Sequence, residues 1–274
     1  MTKKILSLLL ALTMCLSLSV PAWAESLEPS FNDKYNSLLS SGFPESFLSE
    51  LDEYCIDYLY DEAQENYLVY CGASATLANG IGAITPHAIG NPGIAPTAVT
   101  DGTFSMTSHH VIAYAENHVD VNYYTIFVNY EWTSTTTFSV EDGFVSNWPS
   151  EHLTYRSGTF RYRPYYKTTS ATSWTLDTTN QTSTPDTLVQ GGLGIVFDLK
   201  SSSNQIYMHK GTFYYSLNKV LPNSDGINVT VNSIYAHKCL ETSAEITLSV
   251  DGPSVTFVPG AYYQHQATSV SFQF

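Results

Sequence analysis

Tyr123-Tyr124-Thr125-Ile126-Phe127-Val128-Asn129-Tyr130-Glu131-Trp132 decides the fold class. Side chains alternate across a strand, so Tyr124, Ile126, Val128, Tyr130 and Trp132 line one face. Tyr123, Thr125, Phe127 and Asn129 line the other. The same period returns at Ile195, Phe197 and Leu199, at Phe213, Tyr215 and Leu217, and at Ile227, Val229 and Val231. It returns again at Ile246, Leu248 and Val250, then at Val255 and Phe257. Asp142-Gly143, Pro222-Asn223, Asp225-Gly226 and Asp251-Gly252 fall between these runs as turn signals. Short strands with almost no helical period between them pair antiparallel. The expected fold is mainly β: an antiparallel two-sheet sandwich, jelly-roll or Ig-like, over residues 104–274. No internal repeat points to a propeller or a solenoid.

Upstream the period changes. Residues 31–66 read as helical, with Phe47, Leu48, Leu51, Tyr54, Cys55, Tyr58 and Leu59 at three- and four-residue steps. Pro44 suits a first helical turn. Asp52, Glu53 and Asp57 suit the positive N-terminal end of a second helical segment. Leu48, Leu51, Cys55 and Leu59 are expected to dock, while Glu50, Glu53, Asp57 and Asp61 stay in solvent. The acidic helical segment covers 25–71. Residues 72–103 interleave Gly, Ala and Pro and read as a linker or draped loop.

Lys3 and Lys4 precede an apolar run from Ile5 to Val20, then Pro21 and Ala22-Trp23-Ala24. This is the pattern of a secretory signal peptide over residues 1–24, and it predicts an extracellular mature chain. The apolar core is short for a spanning helix, and no later run replaces it, so no transmembrane anchor is expected after cleavage. Met14 before Cys15 does not fit a lipobox.

Charge narrows the partners. The formal net charge is −14, and only 13% of residues are charged. Eleven acids and the single base Lys34 fall between Glu25 and Glu65. Phosphate contacts need Lys and Arg, so nucleic acid is not an expected partner. Cys55, Cys71 and Cys239 are too few for a disulfide scaffold. Cys55 and Cys71 could pair only if the helix ended near Asn66 and Tyr67-Leu68-Val69-Tyr70 ran back as a strand. Buried free thiols are the alternative.

No nucleophile elbow, P-loop, H-E-x-x-H or EF-hand loop occurs. No cofactor is expected, and no catalytic residue is assigned. On a strand, His109 and His110 would point to opposite faces, whereas His118 and Asp120 would share one and form a weak candidate metal pair. A metal site needs three or four ligands. Glu116, Asp120, Glu131, Glu141, Asp142 and Glu151 are the candidate carboxylates for glycoside hydrolysis, and their spacing selects no pair. Asp142, Asp225 and Asp251 precede Gly, which fits turns.

The most distinctive tract runs from Tyr155 to Lys167 and holds half of the basic residues found after residue 65. Tyr155, Arg156, Arg161, Tyr162, Arg163 and Tyr165 are the candidate ligand-binding residues. Rings stack on sugars, and arginine forks to an anion. The competing reading is a hairpin whose arginines neutralise the acidic helical front.

Val128-Asn129-Tyr130-Glu131-Trp132, the run Asp142-Gly143-Phe144 to Trp148, His209-Lys210-Gly211-Thr212-Phe213, Ile234-Tyr235-Ala236-His237-Lys238 and Phe43-Pro44-Glu45-Ser46-Phe47-Leu48 resemble uncharacterised secreted all-β proteins of bacilli and clostridia. The resemblance covers most of the mature chain but not 72–103. It implies a Gram-positive origin and an extracellular compartment, and no activity. The leading expectation is a non-catalytic binding or structural module, with cell-wall glycan, another glycan or a protein as partner. A hydrolase of wall glycan or polysaccharide and a β-sheet membrane-active toxin are the alternatives. Three titratable side chains converging in a cleft would favour the enzyme. A long amphipathic hairpin folded on the body would favour the toxin, on the strength of Thr133–Ser139 and Thr168–Ser173.

Overall fold

The computed structural model describes residues 28–78, 104–132, 141–200, 207–220, 226–238, 247–257 and 263–273. The signal segment, residues 79–103, Thr133–Ser139 and Cys239 lie outside the described residues.

The helical front is three helices. α1 spans Phe31–Ser40, with Ser30 and Asp33 forming a reciprocal cap at its start. Gly42, at φ +97, takes the left-handed conformation that ends it. α2 is the single turn Glu45–Leu48, with Pro44 at its N-cap. α3 spans Glu53–Glu65, and the Asp52 side chain accepts from the Cys55 N–H at 2.8 Å. Phe47, Leu48, Leu51, Cys55 and Leu59 are buried, as the three- and four-residue steps predict, and Ile56 joins them, whereas Tyr54, placed on the same face by those steps, is exposed. Each large apolar side chain buried in this way contributes about 1.5–3 kcal/mol.

After Asn66 the chain reverses into β1, Tyr67–Ala78. The first residues of the stretch read as a linker are therefore strand. Gly72 was the misleading signal. It sits at φ +123, where the register with β2 (Phe104–Tyr114) slips, and Cys71 is the residue without a partner. A glycine at a bulge looks like a breaker in sequence. The bulge turns Cys71 to the surface, while Cys55 is buried, and both are free thiols.

β3 (Val121–Trp132) pairs with β2 on one side and with β10 (Tyr207–Lys219) on the other. β5 (Leu153–Tyr155) and β6 (Arg161–Thr168) both pair with β10, and β7 (Thr175–Leu176) pairs with β6. These strands and β1 form the first sheet. The second sheet runs β14-β11-β4-β9-β8, from Tyr263–Gln273, Asn228–Lys238, Asp142–Asn147, Gly192–Phe197 and Thr187–Val189. β12 (Leu248–Asp251) and β13 (Ser254–Phe257) form a hairpin, turned at Gly252 with φ +59. Every pairing is antiparallel, and the two sheets form the expected sandwich.

Tyr124, Ile126, Val128, Tyr130 and Trp132 face the second sheet and join Phe144, Ile195, Phe197, Phe213 and Tyr235 in the main core. Phe213 stacks on Phe144 at 4.0 Å and on Tyr162 at 4.5 Å. Gly211 faces Tyr130 across β10 and β3, and a Cβ there would lie 2.7 Å from the Tyr130 ring. Tyr123 and Phe127, on the other face, lie under the helices with Val111, Ala113 and Tyr214. The molecule thus has three layers: helices, first sheet, second sheet. At one side β14 closes on β1 and β2, and Thr268 Oγ1 donates to Ser74 O at 2.9 Å. At the other side the sheets end in β7 and β8, of two and three residues.

Candidate functional site

The basic tract is the seat of the helical front. On β6, Arg161, Arg163, Tyr165 and Lys167 alternate outward from the sandwich, and Tyr162 points into its core with no exposure. Tyr162 is therefore out of reach of any ligand, and so is Phe160. Arg163 and the Tyr165 hydroxyl both donate to the Asp52 carboxylate at the start of α3. The Arg163 guanidinium also lies 4.5 Å from the Tyr54 ring centroid. Arg156 reaches Glu62 at 3.8 Å and covers the Tyr123 ring at 4.1 Å. Arg161 donates to the Tyr54 hydroxyl at 3.3 Å and to the carbonyls of Gly158 and Phe160. The Tyr155 hydroxyl accepts from the Phe160 N–H at 2.9 Å. Two of the three arginines thus meet internal carboxylates, and the third meets a tyrosine of the front and two backbone carbonyls.

The front is also pinned from the opposite direction. Glu50 is exposed, as expected, and still bonds to the sheet. Its carboxylate accepts from Asn129 Nδ2 at 3.0 Å and bonds His109 Nε2 at 3.0 Å. His109 Nδ1 lies 3.1 Å from the Tyr70 hydroxyl, and Asn129 Oδ1 accepts from Thr212 at 2.7 Å. Burial would raise the Glu50 and Asp52 carboxyls. The bonds they accept outweigh it and hold both below the ordinary carboxylate range. Asp57, also expected in solvent, is half-exposed and pairs with Lys34 at 2.9 Å.

Between the front and the first sheet lies a polar cleft of about 240 Å³. Glu50, Asp52, Asn129, Glu131, Tyr165 and Lys210 line it, with hydroxyls from Ser49, Ser105, Thr107 and Thr212. Beside it stands Trp174, a partly exposed ring that the sequence reading did not single out. Lys167 lies 4.4 Å from its indole centroid and Lys210 5.3 Å. Lys210 is also 5.8 Å from the Tyr165 ring. Among the described residues neither lysine has a carboxylate within ion-pair distance. Trp174 follows the Ser/Thr run Thr168–Ser173, and a lone Trp leaving such a run was the available signal.

The histidines separate as their spacing predicts. His109 faces the front, whereas His110 faces the core and stacks on Phe272 at 5.4 Å. Burial pushes the His110 imidazole down to about 4, and the same cause brings His209 to about 4. His118 and Asp120 do not share a strand face. They sit in the turn between β2 and β3, with His118 at φ +57 and stacked on Tyr67 at 4.1 Å. Asp120 accepts from Asn117 at 2.6 Å. No group of three metal-ligating side chains occurs among the described residues. Asp142 is not a turn residue either. It opens β4 with no exposure, accepts from the Tyr235 hydroxyl and bonds His237 Nδ1 at 2.6 Å. Its Gly143 neighbour concealed this buried pair in the sequence.

No helix among the described residues is long and apolar enough to cross a membrane. No protein-family model and no curated protein matches the chain. Several solved structures are similar in part. The collagen-binding domain of the Erysipelothrix rhusiopathiae surface protein RspB is 7% identical, with 61% of this chain and 66% of that one covered and a TM-score of 0.29. AvmM, described as catalysing macrocyclization in alchivemycin A biosynthesis, is 13% identical over 55% of this chain and 79% of that one, with a TM-score of 0.25. The mannan-recognising carbohydrate-binding module TmCBM27 is 10% identical over 58% and 90%, with a TM-score of 0.20. Likenesses this low carry no ligand or activity across to this chain.

Proposed function

We propose that this chain is a secreted, non-catalytic binding module of a Gram-positive bacterium, and that it holds a glycan of the cell wall or another source in the cleft between the helical front and the first sheet. One observation carries the reading. Trp174 and Tyr165 offer ring faces beside a cleft walled almost wholly by hydrogen-bonding groups. Sugars need that combination, an apolar face to stack and a rim of donors and acceptors. The basic tract contributes by fixing the front, which forms one wall.

Glu50, Asp52, Glu131 and Lys210 do converge here, as a hydrolase would require. A glycosidase, however, separates its two carboxyls, and the general acid keeps its proton near neutral pH. Glu50 and Asp52 both move down, which supports binding over hydrolysis. The toxin reading finds no support. Thr168–Ser173 makes a short connection between β6 and β7, and Thr133–Ser139 lies outside the described residues.

The test is a combined pull-down and hydrolysis screen on purified wall fractions and soluble oligosaccharides. Retention without released fragments, weakened in Trp174→Ala, is the expected result. Turnover would sink the non-catalytic reading, and undiminished retention of Trp174→Ala would sink the site.

A further inference from the structure

We infer that the ligand of this cleft is an anionic saccharide, with a carboxylate or phosphodiester group received by Lys167 and Lys210 beside Trp174. The inference rests on the glycan reading above and adds the charge of the ligand.

Lys167 and Lys210 are two cations side by side without a carboxylate partner among the described residues. The chain carries 11 Lys and Arg against 25 Asp and Glu, so an isolated cation has many acids to choose from. Arg163 pairs with Asp52, Arg156 with Glu62 and Lys34 with Asp57, while Arg161 and Lys200 each rest singly against a tyrosine. Lys167 and Lys210 instead share one indole ring, at 4.4 and 5.3 Å. Burial makes the Lys210 ammonium less favourable, and the nearby Lys167 charge adds to this, while Glu131, Asp52 and Glu50 offset it only in part.

Glu131 makes the arrangement harder to dismiss. It lies directly opposite Lys210 in the β3–β10 register. Opposite charges so placed normally close on each other. Here no ion pair forms, and the Lys210 ammonium lies over the Tyr165 and Trp174 rings instead. The notch presents two ammonium groups with three N–H donors each. The oxygens of a carboxylate or phosphodiester would accept from both and relieve their repulsion. The neighbouring Glu50 and Glu131 carboxylates would accept from sugar hydroxyls. A neutral glycan satisfies the second requirement and leaves the first unmet.

Two sources carry this chemistry, a uronic-acid polymer and a polyol-phosphate wall polymer. Calorimetric titration with an oligogalacturonate, a polyglycerol phosphate and a neutral oligosaccharide of matched length separates them. We expect at least one anionic probe to bind more tightly than the neutral one, and its binding to weaken with added salt. Lys167→Gln and Lys210→Gln should each weaken it about tenfold or more. Lys200→Gln, whose ammonium lies over Tyr166 on the other face of β6 and away from the cleft, should leave it unchanged. Melting curves matching the parent's for the Lys167 variant, a surface change, exclude misfolding as the cause. If the neutral probe binds as tightly and the lysine variants are silent while Trp174→Ala abolishes binding, the charge inference falls and the glycan site stands. If no probe binds and Trp174→Ala is also silent on wall fractions, both fall.

Discussion

β3 buries both of its faces, and the two are buried by different chemistry. Toward the second sheet, Tyr124, Ile126, Val128, Tyr130 and Trp132 meet rings and aliphatic side chains, and Phe213 stacks on both sides. Toward the helices, Tyr123 and Phe127 share the surface with Thr125 and Asn129. Around that patch stand Arg163 with Asp52, Arg156 with Glu62, and Glu50 with His109 and Asn129. The first face is a domain core. The second has an apolar centre and a charged rim, the anatomy of an association between separate partners. The helical front therefore resembles a bound subunit that shares a chain with its receptor.

That contrast can be broken by mutation, and the largest effect should lie in the sandwich core. Phe213→Ala empties a site filled on both ring faces and should cost about 3–5 kcal/mol by chemical denaturation. A loss no greater than that of a rim substitution would contradict the division. Asp52→Asn comes next. It keeps the shape but leaves Arg163 and Tyr165 without their anion, and should cost about 2–3 kcal/mol. The loss should appear first as increased hydrogen exchange in α2 and α3, with the β3 and β10 amides still protected. Simultaneous exposure of both layers would make the front part of one cooperative core.

Acid separates the layers by pH window. His110 and His209, both on the sandwich side, stand at about 4 in the fold, against about 6.5 in an unfolded chain. Their folded values are depressed, so between those limits the unfolded chain binds more protons than the folded one. Stability falls as pH drops from about 6.5 and levels off near 4. The loss should be readily measurable and should shrink in His209→Asn. Asp52 and Glu50, at the front, behave otherwise. Their depressed values contribute stability that is present above the ordinary carboxylate range and lost only as pH falls through the lower folded values. Denaturation midpoints measured across pH should thus decline in two stages, and a single stage below pH 4 would refute the assignment of the first to buried imidazoles. The smallest change is Glu50→Gln, which keeps one acceptor for Asn129 and should cost about 1 kcal/mol.

Local chemistry was readable in the sequence, and long-range pairing was not. The alternation of β3 foretold both faces, and adjacent His109 and His110 foretold opposite environments. The helical period picked out Leu48, Leu51, Cys55 and Leu59 because burial follows the period whatever they pack against. Glycine misled twice, at Gly72 and beside Asp142, since the same residue marks a turn, a bulge or a strand start. The seat of Arg163 could not be chosen, because Asp52 lies 111 residues away and the sequence holds many acids that would have served. Trp174 was missed for the complementary reason. Its importance comes from Lys210, brought to it by the β6–β10 pairing.

The lateral edges of the sandwich bear on how the protein behaves in a crowded solution. A net charge of −14 repels copies of this chain at a distance, but with only 13% of residues charged few charges stand on the strands themselves to keep sheets from adding to one another. Here geometry takes over that task. Among the described residues, one flank is shut by β14 against β1, and the other offers two or three residues of strand, too short to template a neighbour. Deleting β14 would strip that cover and turn the 11-residue β11 into an open border. Such a truncation should seed fibres detectable by thioflavin fluorescence, whereas the intact chain should stay dispersed at the same concentration. Where the strands stop thus decides whether a second copy finds a border to add to.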